Sequence, residues 1–176
     1  MTTIIDRLID RHQQISTSLE TQNEISLKSY ADDEFRKVLV LSIASYFEHQ
    51  IVDALSRLAK SAKSEQVENL IKSKAIERQY HTYFDWNGRN ANRFLSLFGG
   101  NFRNDVSKEI REDRSLEEGC ESFLTLGRTR NRLVHENFAE FSLDYALEDI
   151  VELYGKALSF VAYLSERIQP SNNALQ

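Results

Sequence analysis

Residues 128 to 137 read RTRNRLVHEN and place three arginines and one histidine within eight positions. Histidine exchanges protons near neutral pH, because its unperturbed pKa is about 6.5. Arginine stays protonated, and its planar guanidinium donates two parallel hydrogen bonds to phosphate oxygens. Side chains of these two types can therefore hold a phosphate group and move protons beside it.

The charge balance of the whole chain is acidic, with 27 Asp and Glu against 22 Lys and Arg and a formal net charge of -5. This balance argues against a protein that coats nucleic acid or an anionic membrane through bulk charge. Any site for a polyanion has to be local, and the arginine-rich segment is the candidate.

The spacing within this segment allows two interpretations. On an uninterrupted helix, Arg130 and His135 lie about 140° apart around the axis and do not share a face. Arg128, Arg132 and His135 do share one, so the cluster can equally be a solvated stripe at a helix C-terminus, where the helix dipole favours cations. Asn131 is of a type often found where helices break. A helix that ends between Arg130 and His135 would let both side chains converge on one pocket.

The pattern of the chain is typical of an all-α protein, and its length predicts one domain over residues 1–176. Few positions interrupt helical periodicity, since Pro170 is the one proline and no Gly- or Ser-rich linker occurs. We expect an up-and-down bundle with long second and last helices and short connecting helices. The predicted helices cover residues 3–20, about 32–62, one or two pieces of 64–79, a stretch that starts at Ser115, and about 142–168.

Local signals predict where some of these helices begin and end. Asp32 and Asp33 suit the positive end of the second helix. Ser115 and Glu118 form an S-x-x-E capping box at the start of the penultimate helix. Gly99, with the glycine after it, is expected to end a short helix.

Composition also predicts a cytosolic protein with no membrane segment. A single cysteine, Cys120, cannot form an internal disulfide, and the N-terminal stretch MTTIIDRLIDRH carries charges where a signal peptide needs apolar residues. The most apolar stretch, residues 38–47, is shorter than the roughly 18 residues that argue for a membrane span. We interpret it as buried core.

The hexapeptide R-N-R-L-V-H, from Arg130 to His135, matches the R-x4-H signature of HEPN domains. The chain resembles the RiboL-PSP group of this superfamily over roughly residues 32–168. The blocks SYFEHQIVDAL and FDWNGRNANRFLSLFG carry this resemblance, together with the position of the motif between the last two helices.

HEPN proteins are commonly metal-independent endoribonucleases, so the resemblance implies RNA cleavage with Arg130 and His135 as the active pair. Asn131 would assist them. In such a reaction the ribose 2′-OH attacks the adjacent phosphorus, which requires proton transfer and stabilisation of added negative charge. The resemblance also implies that Glu48 holds Arg130 in place, although an ordinary exposed glutamate is the equal alternative. Supporting roles are expected for Arg128 and Arg132.

One motif histidine per chain supplies only one proton-transfer group. A homodimer that brings two copies of the motif together, as the resemblance implies, would supply two. A toxin or a defence effector, restrained by an antitoxin or another regulatory partner, is the leading hypothesis. The alternatives are a non-catalytic module that binds RNA or a nucleotide, a dimerisation domain, or a helical interaction protein whose basic stripe is only solvated.

No cofactor and no metal site are expected. The other histidines, at positions 12, 49 and 81, show no paired spacing with Cys, Asp or Glu that is typical of a zinc site. The aromatic block at residues 80–102 is interleaved with arginines and is able to stack bases. We expect most of its rings to close the core instead.

Overall fold

The computed structural model describes residues 2–170, and this part of the chain is helical without strands. The α-helices are α1 (Ile4–Thr21), α2 (Ile25–Ser61), α3 (Glu65–Ile71), α4 (Tyr80–Tyr83), α5 (Asn92–Leu95), α6 (Gly100–Glu112), α7 (Arg114–His135) and α8 (Leu147–Arg167). A π-helical segment, Lys72–Ile76, follows α3, and a 3-10 helix, Ser96–Phe98, follows α5. The predicted all-α bundle, with long second and last helices and short connecting helices, is confirmed.

The core is built around α2, which packs against α1, α7 and α8. Ile43, Phe47 and Ile51 recur every four residues along α2 and are buried. Phe123 of α7 and Phe160 of α8 are buried in the same cluster, with ring centroids 5.8 Å apart. Each such side chain contributes about 1.5 to 3 kcal/mol on burial. This packing holds one face of α7 against the core and leaves another face available for a site.

By length and hydropathy, α2 is the one helix in residues 2–170 that would be able to cross a membrane. A core helix of a soluble protein has the same properties. Within the apolar stretch at 38–47, Leu39, Val40 and Ile43 are buried and Val38 is exposed. The prediction of buried core is confirmed for the inward-facing residues of this stretch.

The second helix begins earlier than predicted. Its first residue is Ile25, because Asn23 adopts a left-handed conformation, with φ of 61°, and turns the chain directly from α1 into α2. Asp32 lies inside the helix, where it accepts a hydrogen bond at 2.8 Å from His12 and one at 3.0 Å from Lys28. The acidic pair therefore serves side-chain contacts and does not mark a helix start.

Three further boundaries differ from the sequence-based expectation. Gly99, with φ of 99°, does end a short helix, but the next residue begins α6, which the sequence did not predict. The cap of α7 is Asp113, whose carboxylate accepts from the Ser115 amide at 2.8 Å, so the predicted capping box at Ser115 is wrong. The last helix begins at Leu147, because the preceding segment is a loop whose Leu143 reaches the core.

A charged cluster ties α6 to α8. Glu109 accepts hydrogen bonds from Arg167 at 2.9 and 3.1 Å and from the Tyr163 hydroxyl at 2.5 Å. Arg167, and then Tyr163, lower the pKa of the Glu109 carboxyl below its usual range, while burial opposes them. A carboxyl with a lowered pKa in the folded state stabilises the fold above its ordinary pKa. That contribution is lost as the pH falls through the folded-state value.

Glu109→Gln should therefore destabilise the protein by about 1 kcal/mol near neutral pH, a small value because the pair is partly exposed to solvent. Thermal unfolding should show a midpoint lower by roughly 2 to 4 °C, and the difference from the native protein should disappear in acid. Glu112→Gln is the matched control, since Glu112 forms only an exposed pair with Lys108 at 3.8 Å. Equal midpoints for the native protein and Glu109→Gln at neutral pH would refute this role.

Candidate functional site

Helix α7 continues without a break through His135, so the alternative in which the helix ends between Arg130 and His135 is wrong. Both residues nevertheless line one pocket of about 360 Å³. Helical geometry explains this result, because Asn131 and Val134 lie between them on the wheel and also line the pocket. Arg130 and His135 thus occupy opposite edges of a broad helical face. We call this cavity the main pocket.

Two other segments form the remaining walls of the main pocket. Helix α2 contributes Phe47 and Glu48, and the segment around α4 contributes Tyr80, His81 and Trp86. The volume lies near the lower end of the range for small-molecule sites. Aromatic rings on one side and cationic groups on another suit a ligand that has both a flat ring and a phosphate.

Arg130 is half-buried, and its Nη1 donates to the Asn131 Oδ1 at 3.1 Å. None of the ion pairs found between residues 2 and 170 involves Arg130. Since a guanidinium has five N–H donors, most of them are free to bind an anion in the pocket. Asn131 thereby holds the guanidinium and leaves its own amide N–H groups available.

His135 is the last residue of α7, and its side chain is exposed. Over residues 2–170, no side-chain hydrogen bond fixes its imidazole. It is therefore accessible to a bound ligand, and its tautomer is not set by a neighbour within the chain.

Glu48 lines the main pocket from α2 and is exposed. It forms no ion pair with Arg130, so the chain does not show the direct contact that would hold the arginine. Both charges act on the Tyr80 phenol, whose pKa is raised mainly by burial, further raised by Glu48 and lowered by Arg130. Tyr80 therefore stays neutral between a carboxylate and a guanidinium.

Arg128 and Arg132 lie outside the main pocket. The Nε of Arg128 donates to the Trp86 carbonyl at 3.0 Å, so this arginine secures the aromatic wall. Arg132 pairs with Glu136 at 3.1 Å and approaches Asp144 at 4.0 Å. These carboxylates offset its charge, and the three basic residues 128, 132 and 135 do not act as one group.

The aromatic block is divided between core and pocket. Tyr83, Phe84 and Phe94 are buried, as expected for rings that close the core. Tyr80 and Trp86 are half-buried and line the main pocket. The indole N–H of Trp86 donates to the His81 carbonyl at 3.0 Å, which fixes the ring against α7.

Trp86 fits against α7 only because residue 127 is glycine. A Cβ at Gly127 would lie 2.1 Å from the indole Cζ3 and 2.2 Å from Cε3, far inside van der Waals contact. The indole thus occupies a recess in the helix and completes the wall of the main pocket.

Gly127→Ala should displace the indole and destabilise the protein by about 1 to 3 kcal/mol, as overpacking does elsewhere. Because Trp86 is the only tryptophan, its fluorescence emission should shift to the red as the ring becomes more exposed. Gly155→Ala is the matched control, since its new Cβ meets nothing within 4 Å and alanine favours the helix. Unchanged emission and an unchanged midpoint for Gly127→Ala would disprove the recess.

Within residues 2–170, no group of three or more His, Cys, Asp or Glu side chains is arranged to hold a metal ion. The one cysteine, Cys120, is buried, and burial raises the pKa of its thiol to about 12. A thiol in this state is a poor nucleophile.

The RiboL-PSP-HEPN family model matches residues 6–169. The chain belongs to the RiboL-PSP-HEPN family. No curated protein and no solved structure matched the chain. The resemblance found from residues 32–168 is thus confirmed, and the match also includes most of α1. Membership in this family points to a helical module related to RNA or nucleotides and, at a coarse level, to dimerisation.

Sequence reasoning missed two basic residues of this HEPN pocket. Arg78 and His81 both line it, although neither was a candidate for the site. Arg78 has a left-handed backbone, with φ of 59°, at the turn between the π-helical segment and α4. Their position on either side of the aromatic Tyr80 was the available signal, since basic residues beside an aromatic ring are typical of sites that bind nucleic acid.

Proposed function

We propose that this chain is a metal-independent endoribonuclease that cleaves RNA through attack of the 2′-OH. The observation that carries the proposal is the main pocket, which brings Arg130, Asn131 and His135 to one cavity with an aromatic wall. An uncommitted guanidinium is suited to the phosphate, and an accessible imidazole is suited to proton transfer.

In the proposed reaction the 2′-oxygen forms a bond to phosphorus and the bond from phosphorus to the 5′-oxygen breaks. A base accepts the 2′-OH proton, and an acid delivers a proton to the leaving 5′-oxygen. Arg130 binds the non-bridging oxygens as negative charge builds on them. Asn131 keeps Arg130 in position, and His135 carries out one of the two proton transfers.

The second proton-transfer group has two candidate sources. His135 of a second copy of this chain would supply it in a composite dimer site. His81 of the same chain also lines the main pocket and would supply it without a partner. We favour the dimer, because exposed apolar side chains lie beside the pocket.

Val134 lines the main pocket and is 52% exposed, Val38 and Phe138 are 44% and 37% exposed, and we propose that the three form one apolar surface. Phe138 is held next to α2, where its carbonyl accepts from Lys37 at 3.3 Å and its ring lies 5.4 Å from the ammonium. Contiguous exposed apolar residues are typical of interaction sites. A homodimer that buries this surface would bring two main pockets together.

A ribonuclease in the cytosol needs restraint, so we propose a cytoplasmic toxin or defence effector with an antitoxin or another regulatory partner. A single, buried cysteine, Cys120, is consistent with that location.

A second candidate function is a non-catalytic module that binds RNA or a nucleotide in the same pocket. The observation in its favour is that no neighbour in the described chain orients the His135 imidazole. Catalytic histidines usually have such a partner.

Incubation of end-labelled RNA with the protein in excess EDTA separates the two functions. A metal-independent ribonuclease should yield fragments with 2′,3′-cyclic phosphate and 5′-hydroxyl ends. Retention of intact RNA by the protein, without fragments, would favour the binding module and contradict the enzyme.

A further inference from the structure

A second, smaller pocket of about 270 Å³ adjoins the main pocket. The two share His81, Trp86 and Asn131, so they lie next to each other, and we refer to them together as the cleft. We call the smaller cavity the side pocket. Its own lining includes Asp85, Asn87, Arg93 and Arg128.

Two arginines, Arg93 and Arg128, line the side pocket together with one carboxylate, Asp85. Arg93 forms no ion pair within the described part of the chain, and Arg128 uses only its Nε, for the Trp86 carbonyl. Together with Arg78 and Arg130 of the main pocket, four arginines face two carboxylates, Glu48 and Asp85. The cleft is therefore locally positive in a chain of net charge -5, which suits a phosphodiester backbone that continues from one pocket into the next.

Asp85 is the one carboxylate among the residues that line the side pocket. Its Oδ1 accepts a hydrogen bond from the main-chain N–H of Asn87 at 3.2 Å, and this bond orients the carboxylate. Its Oδ2 accepts no hydrogen bond from residues 2–170. A carboxylate accepts hydrogen bonds and donates none. It therefore pairs readily with the amino groups of cytosine, adenine or guanine, whereas uracil offers only its N3–H, which two carbonyl oxygens flank and which a carboxylate reaches less favourably.

From this arrangement we infer that the side pocket is a base-recognition subsite for the nucleotide next to the scissile phosphate. It takes an unpaired base that carries an exocyclic amino group. Trp86 forms the wall between the two pockets, and Arg93 and Arg128 bind the adjoining phosphate. Stacking on an indole requires an unpaired base, so the substrate is single-stranded RNA. This inference rests on the proposed ribonuclease function.

Cleavage of a random-sequence RNA pool, followed by sequencing of the fragment ends, tests the subsite. The native protein should show roughly tenfold depletion of uracil at one position that flanks the cut. Asp85→Asn keeps an oxygen that accepts from the main-chain N–H of Asn87, but it adds an NH2 donor that can pair with uracil carbonyls. The variant should therefore remove the depletion of uracil. Arg93→Ala should weaken cleavage of all sequences equally. Arg89→Ala is the control, since Arg89 is exposed in the same loop and lines neither pocket.

A binding measurement separates failure of the subsite from failure of the nuclease. Trp86 is the only tryptophan, so its quenching reports directly on the shared wall. Oligocytidylate with 2′-O-methyl riboses cannot be cleaved, and it should bind roughly tenfold more tightly than the matching oligouridylate. Asp85→Asn should equalise the two affinities.

Identical base preferences for the native protein and Asp85→Asn, in cleavage and in binding, would overturn the subsite even if the nuclease stands. A native protein that cleaves nothing but shows the Asp85-dependent preference in binding would support the subsite and overturn the nuclease.

Discussion

Replacement of His135 by alanine should lower the rate of RNA cleavage by about 100- to 10,000-fold, the usual contribution of a general acid or base. The affinity for RNA should stay within a few-fold of the native value, because Arg130 and Arg78 still line the main pocket. Arg130→Ala should behave differently and weaken both cleavage and binding, since it removes the group that contacts the phosphate.

Single-turnover rates of RNA cleavage in excess EDTA measure the loss of catalysis. Fluorescence anisotropy of an RNA with 2′-deoxyribose at the cleavage position measures binding without turnover. His49→Ala is the matched control, because His49 is an exposed histidine on α2 that does not line the main pocket. Equal cleavage rates for His135→Ala and His49→Ala would remove His135 from the mechanism.

Val134→Asp should dissociate the proposed homodimer and abolish cleavage. Burial of an unpaired carboxylate in an apolar interface costs several kcal/mol, so the dimer dissociation constant should rise by at least about 100-fold. Val38→Asp, which lies on α2 and does not line the main pocket, should give the same loss of dimer. The pair of variants separates an effect on assembly from a direct effect on the pocket.

Sedimentation velocity over a range of protein concentrations measures the change in assembly. Val67→Asp is the matched control, since Val67 is 40% exposed on α3 and lies outside the proposed interface. A native protein that sediments as a monomer and still cleaves RNA would contradict the composite site. His81 would then be the remaining candidate for the second proton transfer.

The helical part of the site was predictable because periodicity places residues on a helix face. The motif was recognised on the penultimate helix, and the long α2 and α8 follow from their apolar repeats. The predicted helix boundaries were less accurate. At the start of α7, for example, Asp113 and Ser115 are both good N-caps, and only the backbone geometry decides between them. Helix α6 is rich in polar residues, so its few apolar positions gave a weak pattern.

The opposite wall of the site was not predictable from local pattern. Arg78, His81 and Trp86 precede the motif by more than forty residues and lie in a stretch without a long helix. Their placement depends on a left-handed turn at Arg78 and on the close fit of Trp86 over Gly127. Neither feature has a periodic signature, because the turn is the conformation of a single residue and the fit joins Trp86 to Gly127, which meet only after folding.

The fit of Trp86 over Gly127 also indicates where an inhibitor would have the largest effect. The indole fills a recess in α7, its N–H donates to the His81 carbonyl, and Arg128 donates to the main-chain carbonyl of Trp86. A flat aromatic compound that took the place of the indole would find its binding site already shaped. It would also remove the wall that the two pockets share, so one small molecule would disturb both of the roles that we propose for these pockets.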